Sequence, residues 1–241
     1  MIREKITGTN LGKEKGFRWR GDDISRIEGF SDNVFGFALT LLVVTLEVPR
    51  TFSQLEESLH GFVAFALAFA LLAAIWYDHY KYFRRYGLND GYVTVLNFAL
   101  LFMIVFFVYP LKFLFTFLVG MVSGDNNEIA LPNGTMVKII ENEQWTTMMI
   151  TYSLGFVIIF AIFFLLYLHA FRLRGELELS ETEIIKTKGE MAGQLANISI
   201  GMISVLTVAF GGYRYTIISG LIYWLVGPAR AIIGMSYGRK V

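Results

Sequence analysis

The sequence predicts an all-α, polytopic membrane protein with six transmembrane helices. Three observations carry that expectation. Hydrophobic residues make up 55% of the 241 residues and aromatic ones 16%, the mean hydropathy is +0.53, and charge-free apolar runs recur along the whole chain. A soluble domain of this length could not hide so much apolar surface. The net charge of +1 removes any strong general attraction to nucleic acid. The absence of cysteine excludes disulfide staples, thiolate metal sites and cysteine nucleophiles.

A hydrocarbon core about 30 Å thick needs roughly 20 apolar helical residues. Reading by charge-free length, the spans fall at 27–49, 60–80, 91–119, 145–170, 191–213 and 215–236. Residues 1–25 form a tail whose Lys13, Lys15, Arg18 and Arg20 are expected to be solvated. The first apolar run follows more than twenty polar residues and lacks a small-residue cleavage site, so the first helix is expected to be retained. Pro110 and Lys112 interrupt the third span. The 120–144 connection reads as turns around a short amphipathic element, a cap or spacer, and the sequon at Asn133-Gly-Thr135 is too short to carry weight. Ala209-Phe-Gly211-Gly212-Tyr213 looks like a filter sequence but ends a full span, and is read as a tight outer turn. In the sixth span the charge-free stretch stops at Ala229, so that helix must tilt, or continue with Arg230 reaching back to the interface. Residues 26–237 are therefore expected to form one six-helix domain, with 238–241 a short tail.

Orientation follows from Lys and Arg between spans. Seventeen of the 21 lie on one side: the N-terminal tail through Arg26, the 81–90 and 171–190 loops, Arg230, Arg239 and Lys240. The positive-inside rule puts that side, with both termini, in the cytoplasm.

The entrance to the first span, Arg26-Ile-Glu-Gly-Phe30-Ser31-Asp32, is unusual. An Asp in a membrane helix costs about 2.5–3.5 kcal/mol on insertion scales and persists where it finds partners or water. Arg26 and Asp32 lie about 120° apart around the helix, so they do not pair locally. Their partners must therefore come from other helices: Trp76 and His79 at the end of the second span lie at the depth of Asp32 and Asn97 enters from the third, which predicts an interhelical network for Arg26 and Asp32. His79 has no histidine company for a metal site, and Asp78-His79 lacks the nucleophile that an enzyme would need. Further along, Phe37, Leu41, Val44 and Val48 fall within about 60° of one another with Thr40 at the edge. Periodicity alone leaves that stripe open between packing, lipid contact and a pore face.

Arg26-x3-Phe30-Ser31-Asp32 with its following Phe/Ala/Leu/Thr/Leu run, Trp76-x2-His79-x3-Phe83, and Leu88-Asn-Asp together resemble the transmembrane protein 175 family of potassium channels. The likeness spans the first three segments, and the signature occurs once. What the resemblance implies is a one-unit chain that assembles as a homotetramer, passing potassium through a central pore lined by the first helices. It implies an apolar gate at Phe37, where Ile or Leu is usual, followed by layers at Leu41 and Val44, and a hydroxyl layer at Thr40. Arg26, Ser31, Asp32, Trp76, His79 and Asn97 would hold the pore helix in place. The implied partners are potassium ions in transit, the bilayer of the cell (inner) membrane and further copies of the chain, with no cofactor and no resident metal. The alternative is a cation-coupled secondary transporter using Asp32. Internal repeats and midplane charges, the usual marks of such transporters, are not clear in this chain.

Overall fold

The computed structural model describes residues 16–21, 23–44, 51–52, 62–123, 128–130 and 135–239. Its helices are α1 (Arg26–Val44), α2 (Phe62–Tyr86), α3 (Gly91–Ser123), α4 (Asn142–Arg172), α5 (Glu181–Gly211), α6 (Thr216–Ile222) and α7 (Val226–Gly238). Single 3-10 turns, Tyr213–Tyr215 and Tyr223–Leu225, lead into α6 and α7. Five segments among the described residues are long and apolar enough to cross a membrane: α2, Gly91–Phe117 of α3, α4, α5 and Tyr213–Gly238. The last is the predicted sixth span, built as two helices joined by a 3-10 turn. The predicted end of the first span, at residue 49, lies outside the described residues.

Several boundaries differ from the sequence reading, each for a local reason. α2 continues to Tyr86, so Arg84 and Arg85 are helical rather than in a loop, where their charge complements the carbonyl end of the helix. α5 begins at Glu181, ten residues before its apolar run. Ser180 accepts from the Glu183 amide at 3.3 Å and its own amide donates to the Glu183 carboxylate at 2.9 Å, a reciprocal cap that starts the helix while it is still in its charged stretch. Pro110 does not end α3; the hydroxyl of Tyr152 on α4 donates to the Pro110 carbonyl. Within the 120–144 connection β1 (Glu128–Ala130) and β2 (Met136–Lys138) form a short antiparallel ribbon in the register Ile129 to Val137. At Gly212, φ of +66° ends α5 in a backbone conformation that suits glycine, and Tyr215 donates its amide to the Gly212 carbonyl, so the glycine pair is a turn.

The core lies among α1, α2, α3 and α4. Phe35, Ala38 and Leu42 of α1 meet Leu72, Tyr82 and Phe83 of α2, Leu100 and Ile104 of α3, and Phe163 and Tyr167 of α4. α5 lies close along α4: a Cβ at Gly201 would come within 2.6 Å of Val157, the kind of approach that small residues permit between membrane helices. The N-terminal tail is not wholly solvated. Phe17 is buried and Arg20 pairs with Glu183 at 2.9 Å, which straps residues 16–21 across the end of the bundle. Lys13 and Lys15 lie outside the described residues.

Candidate functional site

α1 has two unlike faces. Glu28, Ser31, Phe35, Ala38 and Leu42 are buried, a series at helical spacing that points at the bundle. On the opposite side Phe30, Asn33, Phe37 and Thr40 are exposed, and Phe37 keeps 57% of its surface in the protomer. Leu41 borders this line, half-buried against the core. Val44 shares the line by spacing, but its side chain lies outside what the structure describes, and Val48 lies outside the described residues.

The start of α1 is fixed by a cap that the sequence already contained. Glu28 donates its amide to the Ser25 hydroxyl at 3.2 Å, while the Ser25 amide donates to the Glu28 carboxylate at 3.3 Å. The spacing Ser25-x-x-Glu28 is that of a capping box, the signal that could have located this residue pair. The Glu28 carboxylate also lies 3.6 Å from Arg84, whose guanidinium donates to the Gly21 carbonyl at 2.6 Å. Cap, tail and the end of α2 are thereby joined.

One turn on, three helices meet through a directional chain of hydrogen bonds. The Ile27 carbonyl can only accept, so Ser31 donates to it at 2.8 Å. Ser31 Oγ then accepts from Asn97 Nδ2 at 2.9 Å, which turns Asn97 Oδ1 toward His79 Nε2, also at 2.9 Å. His79 therefore carries its proton on Nε2. Its Nδ1 has no hydrogen-bond partner among the described residues, and the ring lies between Phe35 and Phe83, with centroids 5.6 and 4.6 Å away. Ser31, His79 and Asn97 are all fully buried. Beside them Trp76 Nε1 donates to Asp32 Oδ1 at 2.8 Å, at the exposed edge of the bundle. Arg26 stands apart from this cluster: it is exposed and makes no ion pair with a described residue.

Thr40 Oγ1 donates to the Gly36 carbonyl at 2.8 Å, the local back-bond common for Thr in helices. A hydroxyl that donates once keeps its lone pairs. On this exposed face they remain able to accept, so the back-bond and an outward role for the oxygen are compatible.

Over nearly its whole length the chain is 35% identical to a potassium channel of Marivirga tractuosa, covering 98% of this chain and 96% of that one. The chain belongs to the TMEM175 potassium-channel family. The family model described as the endosomal/lysosomal potassium channel TMEM175 matches residues 26–107, which hold α1, α2 and the first half of α3. A crystal structure of the potassium channel MtTMEM175, a threonine-to-alanine variant bound to a nanobody–MBP fusion, superposes with a TM-score of 0.80 at 34% identity, covering 94% of this chain and 98% of that one. A lysosomal potassium-selective channel TMEM175 homologue from Chamaesiphon minutus, at 22% identity and a TM-score of 0.50, shares the fold, covering 89% of this chain and 96% of that one. The TMEM175 family is one of channels, not enzymes.

Within this TMEM175 chain the structure adds a contact that the sequence reading missed. Lys112, noted only as an interruption of the third span, donates from Nζ to the Leu42 carbonyl at 3.1 Å, near the far end of α1. An intramembrane Lys next to Pro110 is itself a signal, since such a charge must reach a carbonyl, a carboxylate or water. α1 is thus tied to its neighbours at both ends.

Proposed function

We propose that this chain is one subunit of a homotetrameric, potassium-selective leak channel in the cell (inner) membrane, with α1 lining the central pore. The observation that carries the reading is the two-faced α1. It buries one side against α2 and α3 and leaves the opposite line of Asn33, Phe37 and Thr40 uncovered in the protomer. Four copies meeting on that line would put a phenyl ring from each subunit around one axis, forming an apolar constriction that water and ions enter only when it widens. Leu41 and Val44 are the next apolar layers. Thr40, one turn beyond Phe37, supplies hydroxyl oxygens for a partly dehydrated potassium ion. Ser31, Asp32, Trp76, His79 and Asn97 hold the helix so that this line faces the axis, and Arg26 marks the cytoplasmic entrance. Support for potassium as the ion comes from the Marivirga tractuosa and MtTMEM175 relatives, both of them named as potassium channels.

The distribution of Lys and Arg supports six spans with both termini in the cytoplasm. Because the chain has no cysteine, a single Met136→Cys variant reports topology cleanly. Labelling of intact cells from outside supports the orientation, and labelling only after the membrane is opened reverses it. The function itself is tested by bilayer recording of the reconstituted protein under opposed potassium and sodium gradients. A reversal potential near the potassium equilibrium value is expected; one that ignores the potassium gradient overturns the assignment.

A further inference from the structure

Asn33 is a polar residue near the start of α1 that the buried network leaves out. Ser31 donates to the Ile27 carbonyl and accepts from Asn97, and Asp32 accepts from Trp76. The Asn33 side chain is exposed and makes no hydrogen bond with a described residue. Polar side chains in membrane helices almost always face the interior of a bundle or a water-filled cavity, and this bundle covers the opposite side of α1. At 100° per residue Asn33 falls within about 60° of Phe37, Thr40 and Val44. By the rise of a helix it stands about 6 Å before Phe37, with Thr40 about 4.5 Å after it. The apolar ring is thus bracketed by two oxygen-bearing layers.

A carboxamide suits that position better than a charge. Each Nδ2 can donate to the Oδ1 of the next copy around an axis, and an oxygen with two lone pairs keeps one for an ion on the axis. A neutral ring of such oxygens replaces part of an ion's hydration shell without trapping the ion, and conduction needs sites weak enough to leave. Gly29 and Gly36, four residues before and three after, put no side chain beside it, and a Cβ at Gly36 would meet nothing within 4 Å. Arg26 begins the same line two turns earlier, with a side chain long enough to turn its charge out into the water. The short Asn33 stays at the helix surface.

On the reading of α1 as the lining of a tetrameric pore, we propose that Asn33 forms a binding site for a monovalent cation on the cytoplasmic side of the Phe37 constriction. Four carboxamide oxygens take over part of the hydration shell before the ion enters the phenyl ring, as the Thr40 hydroxyls do beyond it. The site fills from the cytoplasm, so it acts on potassium leaving the cell more than on potassium entering. Carboxamides that bonded only to one another would hold the subunits together and touch no ion, which is the outcome the test must separate.

The full-length protein is recorded at single-channel level in inside-out and outside-out patches, with size exclusion of each variant in parallel. The probes are potassium and magnesium; the variants are Asn33→Ala and Asn33→Asp. In Asn33→Ala the cytoplasmic potassium concentration that half-saturates outward current should rise severalfold. In Asn33→Asp four carboxylates replace the neutral ring, so cytoplasmic magnesium should block at a roughly tenfold lower concentration than in the wild type, with external magnesium no more effective than before. Unchanged half-saturation in Asn33→Ala, even where its tetramer yield falls, overturns the site while leaving the pore reading standing. Magnesium block of Asn33→Asp that is absent, or equal from both faces, does the same. Where Asn33→Ala yields too little tetramer to record, the sidedness of block in Asn33→Asp decides alone. A wild-type reversal potential that ignores the potassium gradient takes down the pore reading, and the site with it.

Discussion

Removing the Asn97 amide should be the most informative single change in the bundle. Asn97→Ala leaves His79 Nε2–H without its acceptor and Ser31 Oγ without its donor, breaking the buried polar links that join α3 to α2 and to α1 at this level. Leaving a buried donor unpaired costs roughly 1–3 kcal/mol in soluble proteins. In a bilayer, interhelical hydrogen bonds average nearer 0.6 kcal/mol and reach about 1.7, because the unfolded helices find other partners. Among the described residues all three side chains are fully buried, and the imidazole is flanked by two phenyl rings. The upper part of the membrane range therefore applies, and two bonds give a loss of about 2–3 kcal/mol. Ser31→Ala removes one of those bonds and should cost about half as much. Since the two residues share a bond, the double variant should be less destabilised than the sum by about 0.5–2 kcal/mol. Unfolding in bicelles, followed by tryptophan fluorescence for wild type, both singles and the double, measures this coupling. Strict additivity would refute the chain of hydrogen bonds, whatever the size of the single effects.

Further outcomes follow from the same geometry. Phe37→Ala should raise resting current, because four small side chains leave an aperture that wets; Phe102→Ala, an exposed Phe of α3, serves as control, and equal currents would mean that Phe37 does not face the pore. Thr40→Val keeps shape and deletes the hydroxyl, so the potassium preference over sodium should fall while assembly persists; an unchanged reversal potential would move selectivity to the apolar ring. Asp32→Asn weakens the charge-assisted bond from Trp76 and should lower the yield of assembled tetramer on size exclusion, whereas normal yield with salt-sensitive conductance would give Asp32 an electrostatic role at the entrance. Asp90, outside the spans, has its carboxyl held below the usual range: burial opposes this, but the bond to His169 at 2.9 Å and the amides of Val93 and Tyr92 outweigh it. A depressed carboxyl stabilises above its unfolded value near 4 and ceases to as pH falls through its folded value, so Asp90→Asn should melt earlier than wild type at pH 7, with the gap closing in acid.

The bundle was legible where one physical rule dominated. Apolar length located the spans to within a few residues at the start of α3 and α4, since a membrane helix cannot be shorter than the hydrocarbon is thick; the expected start of the second span, at residue 60, lies outside the described residues. Apolar length failed at the ends that lie in water. Glu181 through Glu190 are mostly polar, so no charge-free run marks them, yet the Ser180 cap makes them the first turns of α5. The 81–86 stretch looked like a loop for the same reason, although its basic side chains suit a helix end. Around the site, depth matching along three helices was enough to group Asp32, Trp76, His79 and Asn97, but it counted Arg26 with them, which the structure leaves apart, and Ser31 entered only with the family signature. Depth matching could not find Lys112 with the Leu42 carbonyl, or Arg85 with Glu190, because partners remote in sequence are fixed by which helix faces which, and hydropathy carries no rotation angle.

The contacts around α1 bear on how a constriction at Phe37 would open. Turning α1 about its axis far enough to swing Phe37 away would withdraw Ser31 from Asn97, Asp32 from Trp76 and the Leu42 carbonyl from Lys112, and expose Phe35 and Ala38. Three bonds at the membrane average, about 0.6 kcal/mol each, with one buried phenyl at about 1.5–3 kcal/mol, put such a turn at several kcal/mol per subunit, four times over in a tetramer. A change of side-chain rotamer at Phe37 touches none of these groups, and the bare Gly36 beside it, whose Cβ position meets nothing within 4 Å, leaves room for the ring to swing. The energetics therefore favour a gate worked by side chains, or by a small outward tilt of whole subunits with α1 riding on its neighbours. Asn97→Ala distinguishes the two sources of motion: if α1 turns independently during opening, loosening its anchor should raise open probability, and if it moves with the bundle, stability should fall with gating unchanged.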